Sequence, residues 1–362
     1  MKLSQVLDAL QAIAPNEYAE SWDNVGLLVG DPSHDVSAAM LTIDYTPEVA
    51  CEASGAKCDL IIAYHPPIFD ALKRITSTSL IFDAIRRGAA IYSPHTALDV
   101  APGGTNDMLA DAIGMTDRAP LRSSDAKATH FKLVTFVPQE SLEKVSRALF
   151  DAGAGNIGNY SSCSFQLTGT GTFFGGQGAN PAVGKSGKLE RANEIRFETV
   201  VPISVVDRVI HALRTSHPYE EPAFDLNVLA PAPSGLGLGR VGTVPSTPRE
   251  ELFDHIKKEL SLTHLLISGP MSGNVTRAAV CAGACGDLLD DAIAQKVDLY
   301  LTGEMRHHDA IKAARAGVTV VCTLHSNSER AVLKRLAAEL SKRAPGLRAV
   351  LSQQDRDPFA VR

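Results

Sequence analysis

Short apolar runs recur through the first third of the chain, at 39–43, 60–63 and 89–92, each closed by turn residues. Runs of this length without polar interruption predict strands buried on both faces. Between them, apolar positions return at helical spacing over 47–56, 77–87 and 103–113, and an amphipathic pattern opens the chain at Leu3, Val6, Leu7, Leu10 and Ile13. Alternating strand and helix predicts an α/β fold with a mostly parallel sheet. The last third repeats the pattern, with strands at 278–281, 299–301 and 318–324 and helices at 288–296, 306–316 and 329–342. Asp59-Leu60-Ile61-Ile62 overlies Asp298-Leu299-Tyr300-Leu301 at an offset of 239 positions (298 − 59), which also carries Ala39 onto Ala278 and His65 onto Glu304. Two similar α/β halves from a duplication, packed as one core domain, are expected.

The stretch 126–232 differs. Strands at 131–137, 162–172, 194–201 and 223–229 and helices at 139–152 and 204–215 give the order β-α-β-β-α-β, the ferredoxin-like pattern. Its central part is glycine-rich, and 117–128 and 230–235 read as linkers. The expected organisation is a first core half at 1–125, an inserted ferredoxin-like domain at 126–235 and a second core half at 236–362.

Ligands of parallel sheets bind beyond the carboxyl ends of the strands, and His65, His95, Glu304 and His325 all fall at such ends. His95 and His325 are each followed four residues later by a carboxylate, Asp99 and Glu329. His65 precedes Pro66-Pro67, which stop the strand and aim the imidazole away from the sheet. Imidazole nitrogen and carboxylate oxygen at this spacing can share a divalent metal ion. A plainer reading makes Ser326-x-x-Glu329 a helix capping box and Thr96-x-x-Asp99 a weaker one. Capping leaves unexplained the histidine before each copy, so the sequence favours a metal site built from both ends of the chain. His65, His95, Asp99, His325 and Glu329 are its candidate ligands, and Glu304 and His95 are also candidate proton carriers. His307 and His308 read as a surface pair. Gly237-x-Gly239-x-x-Gly242 lacks the preceding apolar strand and following helix of a dinucleotide fingerprint and is not read as one.

Composition narrows the class. The chain has 362 residues, 44% hydrophobic and 21% charged, with a net charge of −6, which disfavours binding to nucleic acid or anionic membranes. No apolar run reaches the roughly 18 residues of a membrane span and no signal or transit pattern opens the chain, so a cytoplasmic protein is expected. The six cysteines form no C-x-x-C pair and read as small buried hydrophobes.

Trp22-Asp23-Asn24-Val25-Gly26-Leu27, Tyr64-His65-Pro66-Pro67-Ile68-Phe69, Ser93 through Asp99, Gly237 through Gly242, Thr302-Gly303-Glu304 and His325 through Glu329 together resemble the Nif-three-like family of dinuclear metal-centre proteins, also called GTP cyclohydrolase I type 2 homologues. Gly155-Asn156-Ile157-Gly158-Asn159-Tyr160 and His217-Pro218-Tyr219-Glu220-Glu221-Pro222 resemble the PII- or divalent-ion-tolerance-type insert of the longer members. The resemblance implies two metal ions held at His65, Asp99, His325 and Glu329, with the glutamate bridging. It also implies a hexameric ring with the sites facing an internal cavity. Tyr64 departs from the pattern, since many members carry a second histidine there. The second ion is then held more weakly, or His95, Tyr64 or water completes its shell. Two ions, with Zn, Fe, Mn and Ni all suiting the mixed ligands, would activate a water and polarise a substrate oxygen. The leading expectation is a metal-dependent hydrolase for a nucleotide-like or phosphoester small molecule, although nothing in these residues selects GTP. The competing expectation is a non-enzymatic metal-holding scaffold or regulator whose insert senses a ligand.

Overall fold

The computed structural model describes residues 1–124, 130–229 and 235–360. The chain divides into two compact units, Met1–Ser124 with Gly235–Arg362, and Asp125–Ser234. In chain order the first segment holds α1 (Leu3–Ile13), β1 (Gly26–Val29), β2 (Ala38–Thr42), α2 (Pro47–Gly55), β3 (Leu60–Ala63), α3 (Leu80–Arg87), β4 (Ala90–Ser93), α4 (His95–Val100), α5 (Thr105–Ala112) and β5 (Thr116–Ser123). The Asp125–Ser234 unit holds β6 (His130–Val137), α6 (Leu142–Asp151), β7 (Ser164–Phe174), β8 (Leu189–Pro202), α7 (Val206–Ser216) and β9 (Phe224–Val228). The last segment holds β10 (Gly237–Pro248), α8 (Arg249–Glu259), β11 (Leu266–Ser268), β12 (Asn274–Cys281), α9 (Leu289–Ala294), β13 (Leu299–Thr302), α10 (His307–Arg315), β14 (Thr319–Cys322), α11 (His325–Glu329), α12 (Ala331–Arg343) and β15 (Arg348–Leu351).

The first and last segments build a mixed α/β fold on two sheets, ordered β1-β4-β3-β2-β15 and β11-β14-β13-β12-β10-β5. The strands legible as apolar runs (β2, β3, β4, β12, β13 and β14) are parallel and buried along those runs, although β12 begins with exposed positions at Asn274, Thr276 and Arg277. Their registers agree across the halves: Ala39 pairs with Leu60 as Ala278 pairs with Leu299, each shifted by 239. Each sheet carries the same antiparallel edge, β1 on β4 and β11 on β14.

The closing elements are exchanged. On one face of the first sheet, α1 packs with α12 through Val332, Leu333, Leu336 and Leu340. On the corresponding face of the second, α8 packs with α5 through Leu109, Ala110 and Ile113. β15 adds to β2 and β5 adds to the second sheet through β10. Opposite faces are covered locally, by α2 and α3 on one sheet and by α9 and α10 on the other.

One expectation needs correction. Residues 117–123 are not linker but belong to β5, an exposed and mostly polar strand along β10 that has no hydrophobic alternation to betray it; 125–129 and 230–234 lie outside the described residues. The glycines at 237–242 lie in a strand, where Gly239 (φ 63) sits so that a Cβ would come within 2.8 Å of Val280 O, and Gly242 likewise within 2.4 Å of Thr116 O. They serve close strand packing. In the Asp125–Ser234 unit the strands run antiparallel in the order β7-β8-β6-β9 over a core that includes Leu133, Leu149, Phe197 and Leu213. The β7–β8 ladder continues out to Phe174 and Leu189, so part of the glycine-rich stretch, Gly169 and Gly171, is strand. Among the described residues no helix is long and apolar enough to cross a membrane. Cys58, Cys281 and Cys322 are buried, Cys163 and Cys285 half-buried and Cys51 exposed, all as free thiols.

An aspartate occupies the same position in each half. Asp59 Oδ2 accepts from Ser37 N (2.7 Å), Ser37 Oγ (2.6 Å) and Ala38 N (3.3 Å); Asp298 Oδ2 accepts from Thr276 N (2.8 Å), Thr276 Oγ1 (2.9 Å) and Arg277 N (3.0 Å). Partial burial works to raise each carboxyl, and the donors outweigh it and hold both below 3.8. With a depressed folded value, this stabilisation is complete above pH about 4 and is lost as pH falls through the folded pKa. Asp298→Ala should therefore destabilise the protein by about 1–3 kcal/mol at neutral pH, with a melting-temperature difference from wild type that closes in acid. A difference that does not shrink as the solution is made acidic would show another origin for the effect.

Candidate metal centre

Strand ends from both sheets converge on one cleft. β3 ends at Ala63 and delivers Tyr64 and His65, with Pro66 next in the chain. β14 ends at Cys322; Leu324, at φ 72, turns the chain into α11, whose residues include His325 and Glu329. His65, His325 and Glu329 offer ligand atoms all within 4.8 Å of one another. His65 Nε2 lies 3.2 Å from Glu329 Oε2, and His325 Nε2 lies 3.3 Å from Glu329 Oε1. The first pair is close but misaligned: His65 Nε2 and Glu329 Oε2 are buried with no hydrogen-bond partner among the described residues. Buried polar atoms are normally satisfied, so two facing orphans mark a place that suits a bound cation.

Each imidazole is fixed from behind. Nδ1 of His65 bonds Asp44 at 2.9 Å, Nδ1 of His325 bonds Glu304 at 2.8 Å and Nδ1 of His95 bonds Asp23 at 2.8 Å. The His65 ring stands 5.4 Å from that of His95 and 5.2 Å from that of His325. A carboxylate on Nδ1 sets the tautomer that presents Nε2 as a donor, the usual support behind a metal-bound histidine.

Asp99 stands beside this group rather than within it. Its Oδ1 accepts from the hydroxyl of Tyr64, a fully buried ring in edge contact with both His65 and His95. The Tyr64 hydroxyl also lies 3.1 Å from Thr105 Oγ1, and Asn106 Nδ2 holds the Asp99 carbonyl at 3.0 Å. Three of the four predicted ligands are thus brought together and the fourth is adjacent, tied to Tyr64. Glu304 backs His325, His95 is held by Asp23, and His307 and His308 lie exposed on α10.

The capping reading fails in both copies. Neither α4 nor α11 has a side-chain cap at its first turn. Ser326 Oγ donates to Asp357 (2.8 Å), and Glu329 ends α11 facing two histidines. Sequence reasoning missed Asp23 and Asp44 as partners. Asp44 follows β2 and could have been found by the strand-end rule that found His65; Asp23 lies in an irregular segment that gives no such signal.

Electrostatics follow the packing. Burial alone would lower His65, but its hydrogen bond to Asp44 and the close carboxylates of Glu329 and Asp44 outweigh burial and raise it to about 10. The close Glu329 carboxylate raises His325 against the opposing effect of burial. Burial works to raise Glu329, and the two histidines overcome it and hold the carboxyl low. Burial pushes Asp99 up to about 6, with the Tyr64 hydrogen bond and the His95 charge pulling the other way. Glycine makes the room: at Gly283 (φ 73) a Cβ would lie 3.0 Å from Glu329 Oε1 and 3.5 Å from His325 Nε2. A cleft of about 330 Å³ opens beside His65, lined by Asp44, Tyr45, Pro66 and Leu80 among others.

The sequence model of the Duf34/NIF3 (NGG1p interacting factor 3) family matches residues 1–358. The chain belongs to the DUF34/NIF3 family. Among its relatives is a Mycobacterium tuberculosis protein named GTP cyclohydrolase 1 type 2 homolog, 38% identical over 91% of this chain and 88% of its own. A Bacillus subtilis protein of the same name is 36% identical over 98% and 97%. A solved Bacillus cereus protein related to NIF3 is 34% identical, with a TM-score of 0.70 over 100% of this chain and 99% of its own. A Staphylococcus aureus structure reaches a TM-score of 0.79 at 26% identity with the same coverage. The two-sheet α/β arrangement is therefore that of solved family structures.

Two outcomes follow. In chelator-treated protein, His65 should keep its proton well above its ordinary 6.5 and titrate near 10 in an NMR pH series. Because its folded pKa is raised, the stability it contributes is complete below 6.5 and is lost as pH rises through about 10. A midpoint near 6.5 would remove the Asp44–His65–Glu329 arrangement. Gly283→Ala combines a positive-φ position with a contact on Glu329, and should destabilise the protein by about 1–3 kcal/mol, measured as a drop in melting temperature.

Proposed function

We propose that the cleft is a divalent-metal centre and that the protein is a metal-dependent hydrolase acting on a nucleotide-like or phosphoester small molecule. The observation that carries this reading is the pair of imidazoles, His65 and His325, each backed through Nδ1 by its own carboxylate and facing a buried glutamate that lacks a full set of partners, with a third braced imidazole, His95, beside His65. The donors fit a cation: nitrogen and carboxylate oxygen in a mixed set suit Zn, Fe, Mn or Ni. His65, His325 and Glu329 would hold one ion, and Asp99 with Glu329 would hold a second. Ions held there supply Lewis-acid polarisation of a substrate oxygen and a water acidic enough to act near neutral pH. The chain's own residues do the rest. Asp44, Glu304 and Asp23 keep the imidazoles oriented, Tyr64 orients Asp99, and burial of Glu329 excludes water from the back of the site. His95, with Nδ1 on Asp23, is placed to pass a proton through Nε2. The relatives' name supports nucleotide-like substrates, and no residue here selects GTP among them.

A second reading keeps the metal centre and drops the chemistry: a scaffold or regulator whose Asp125–Ser234 unit, with the β-α-β-β-α-β order of a ferredoxin-like domain, senses a ligand. A cleft of about 430 Å³ on that unit, bordered by Phe131, His211, Arg214 and Phe224 among others, favours it.

Elemental analysis of protein never exposed to chelator should give at least one equivalent of transition metal per chain. His325→Ala should lose most of that metal together with hydrolysis across a panel of nucleotides and phosphoesters. Metal-free wild type would overturn the metal centre. Metal-replete wild type that turns over nothing, while a metabolite binds the Asp125–Ser234 unit, would select the regulator.

A further inference from the structure

Two large aromatic side chains stand in the open on the His95 side of the histidine cluster. Trp22 is 59% exposed and Phe69 50% exposed. Their rings lie 6.1 Å apart at 50°, and Trp22 is also 6.1 Å from His95 in an edge contact. A line of rings thus runs from Phe69 through Trp22, His95 and His65 to His325. The loops bearing the two aromatics are pinned. Asp23, its side chain fully buried, bonds His95 Nδ1 and Thr96 N; Glu20 N donates to Thr96 Oγ1 at 3.0 Å; and Asn24 Nδ2 ties the loops together by donating to Ile68 O at 2.6 Å. The sequence segment was legible only as part of the family resemblance, and the hydrolase reading gives these two rings no role.

We propose that Trp22 and Phe69 form a stacking subsite for a planar nitrogen-heteroaromatic ring of nucleobase size, whose polar substituents reach the histidine and carboxylate cluster. This rests on the hydrolase reading of the same cleft and selects among its substrates: a ring-bearing compound, against a plain sugar phosphate. Exposed aromatic faces are the common platform for bases, because every base offers a π-face while its edge remains free for polar contacts. A small ligand also matches the neighbourhood better than a protein surface does. Trp22 adjoins His95, the near end of a polar cluster that continues through His65 to His325, and a flat apolar partner laid across them would strand those groups without polar contacts. A ligand with an apolar face and a polar edge satisfies both halves of the surface.

Trp22 is the sole tryptophan of the chain, so its fluorescence reports this subsite alone. The full-length, metal-replete protein is titrated with GMP, guanosine and ribose 5-phosphate, with metal content measured on the same samples. Both purine compounds are expected to quench Trp22 saturably and ribose 5-phosphate to leave it unchanged. Phe69→Ala should weaken quenching by roughly ten-fold. By calorimetry, Trp22→Ala should weaken GMP binding by a similar factor, and Trp22→Phe should restore most of it. Absence of quenching by either purine compound in metal-replete protein overturns the subsite and leaves the metal centre standing. Saturable quenching in protein that carries no metal supports the subsite while the hydrolase reading fails. Ligand-free protein in which Trp22 is shielded from acrylamide, and is exposed again on dilution, places a second copy over the rings and overturns the proposal.

Discussion

The exchange of closing helices between the two sheets is the constraint on which the rest of the core unit depends. Each sheet has one face covered by helices of its own half and one face that its own half leaves partly open. The open face of the first sheet is completed by α12, contributed from the far end of the chain, and that of the second by α5. α11 runs into α12 with only Arg330 between them, so the hydrophobic demand of the first sheet on Val332, Leu333, Leu336 and Leu340 draws α11 along. Glu329 therefore sits at the crossing point, with His325 on its own helix and His65 from the opposite sheet. Apolar burial, a non-directional force, thereby sets the position of a directional polar site.

Polar detail then turns proximity into geometry. A carboxylate buried like Glu329 is costly unless it is paired, and here it is compensated by two imidazoles, each braced by a second carboxylate. Removal of any brace frees a ring to rotate before it alters a ligand count. The same logic separates Asp99 from the other three: its partner is a neutral hydroxyl, which satisfies one oxygen without supplying compensating charge, and its carboxyl is accordingly raised rather than lowered.

How far this could be read from sequence differs by element. The six central parallel strands were legible because strands buried on both faces are continuous apolar runs, and the offset of 239 was legible because those runs align. β5 and β10 were not, since edge strands carry polar residues and are defined by backbone pairing alone. The exchange of α5 and α12 left no local trace: an amphipathic helix shows which face is apolar and not which sheet it will cover. His65 and His325 were found by the strand-end rule, and Glu329 by its spacing four residues after His325. Asp23 was not, because its partner His95 lies 72 positions away and only folding relates them. The capping alternative failed for a physical reason: the turn into α11 is made by the positive φ of Leu324, which left Ser326 and Glu329 free for other partners.

The shared offset also shows how a duplicated frame yields an asymmetric site. Asp59 and Asp298 kept one role in both halves, tying down the start of a neighbouring strand. At the strand ends the equivalents diverged in a complementary way. His65 projects into the cleft, whereas Glu304, its counterpart, braces His325. Asp44, which braces His65, corresponds to Gly283, where any side chain would press on Glu329 and His325. Tyr64, which fills its half and holds Asp99, corresponds to Gly303, where a Cβ would come within 2.7 Å of Gly283 O. A symmetric pair of sites would need both halves to carry bulk at positions that face each other across one small cleft, and close packing forbids that. One half therefore supplies bulk and bracing where the other supplies space, and the result is a single centre lying between two related sheets.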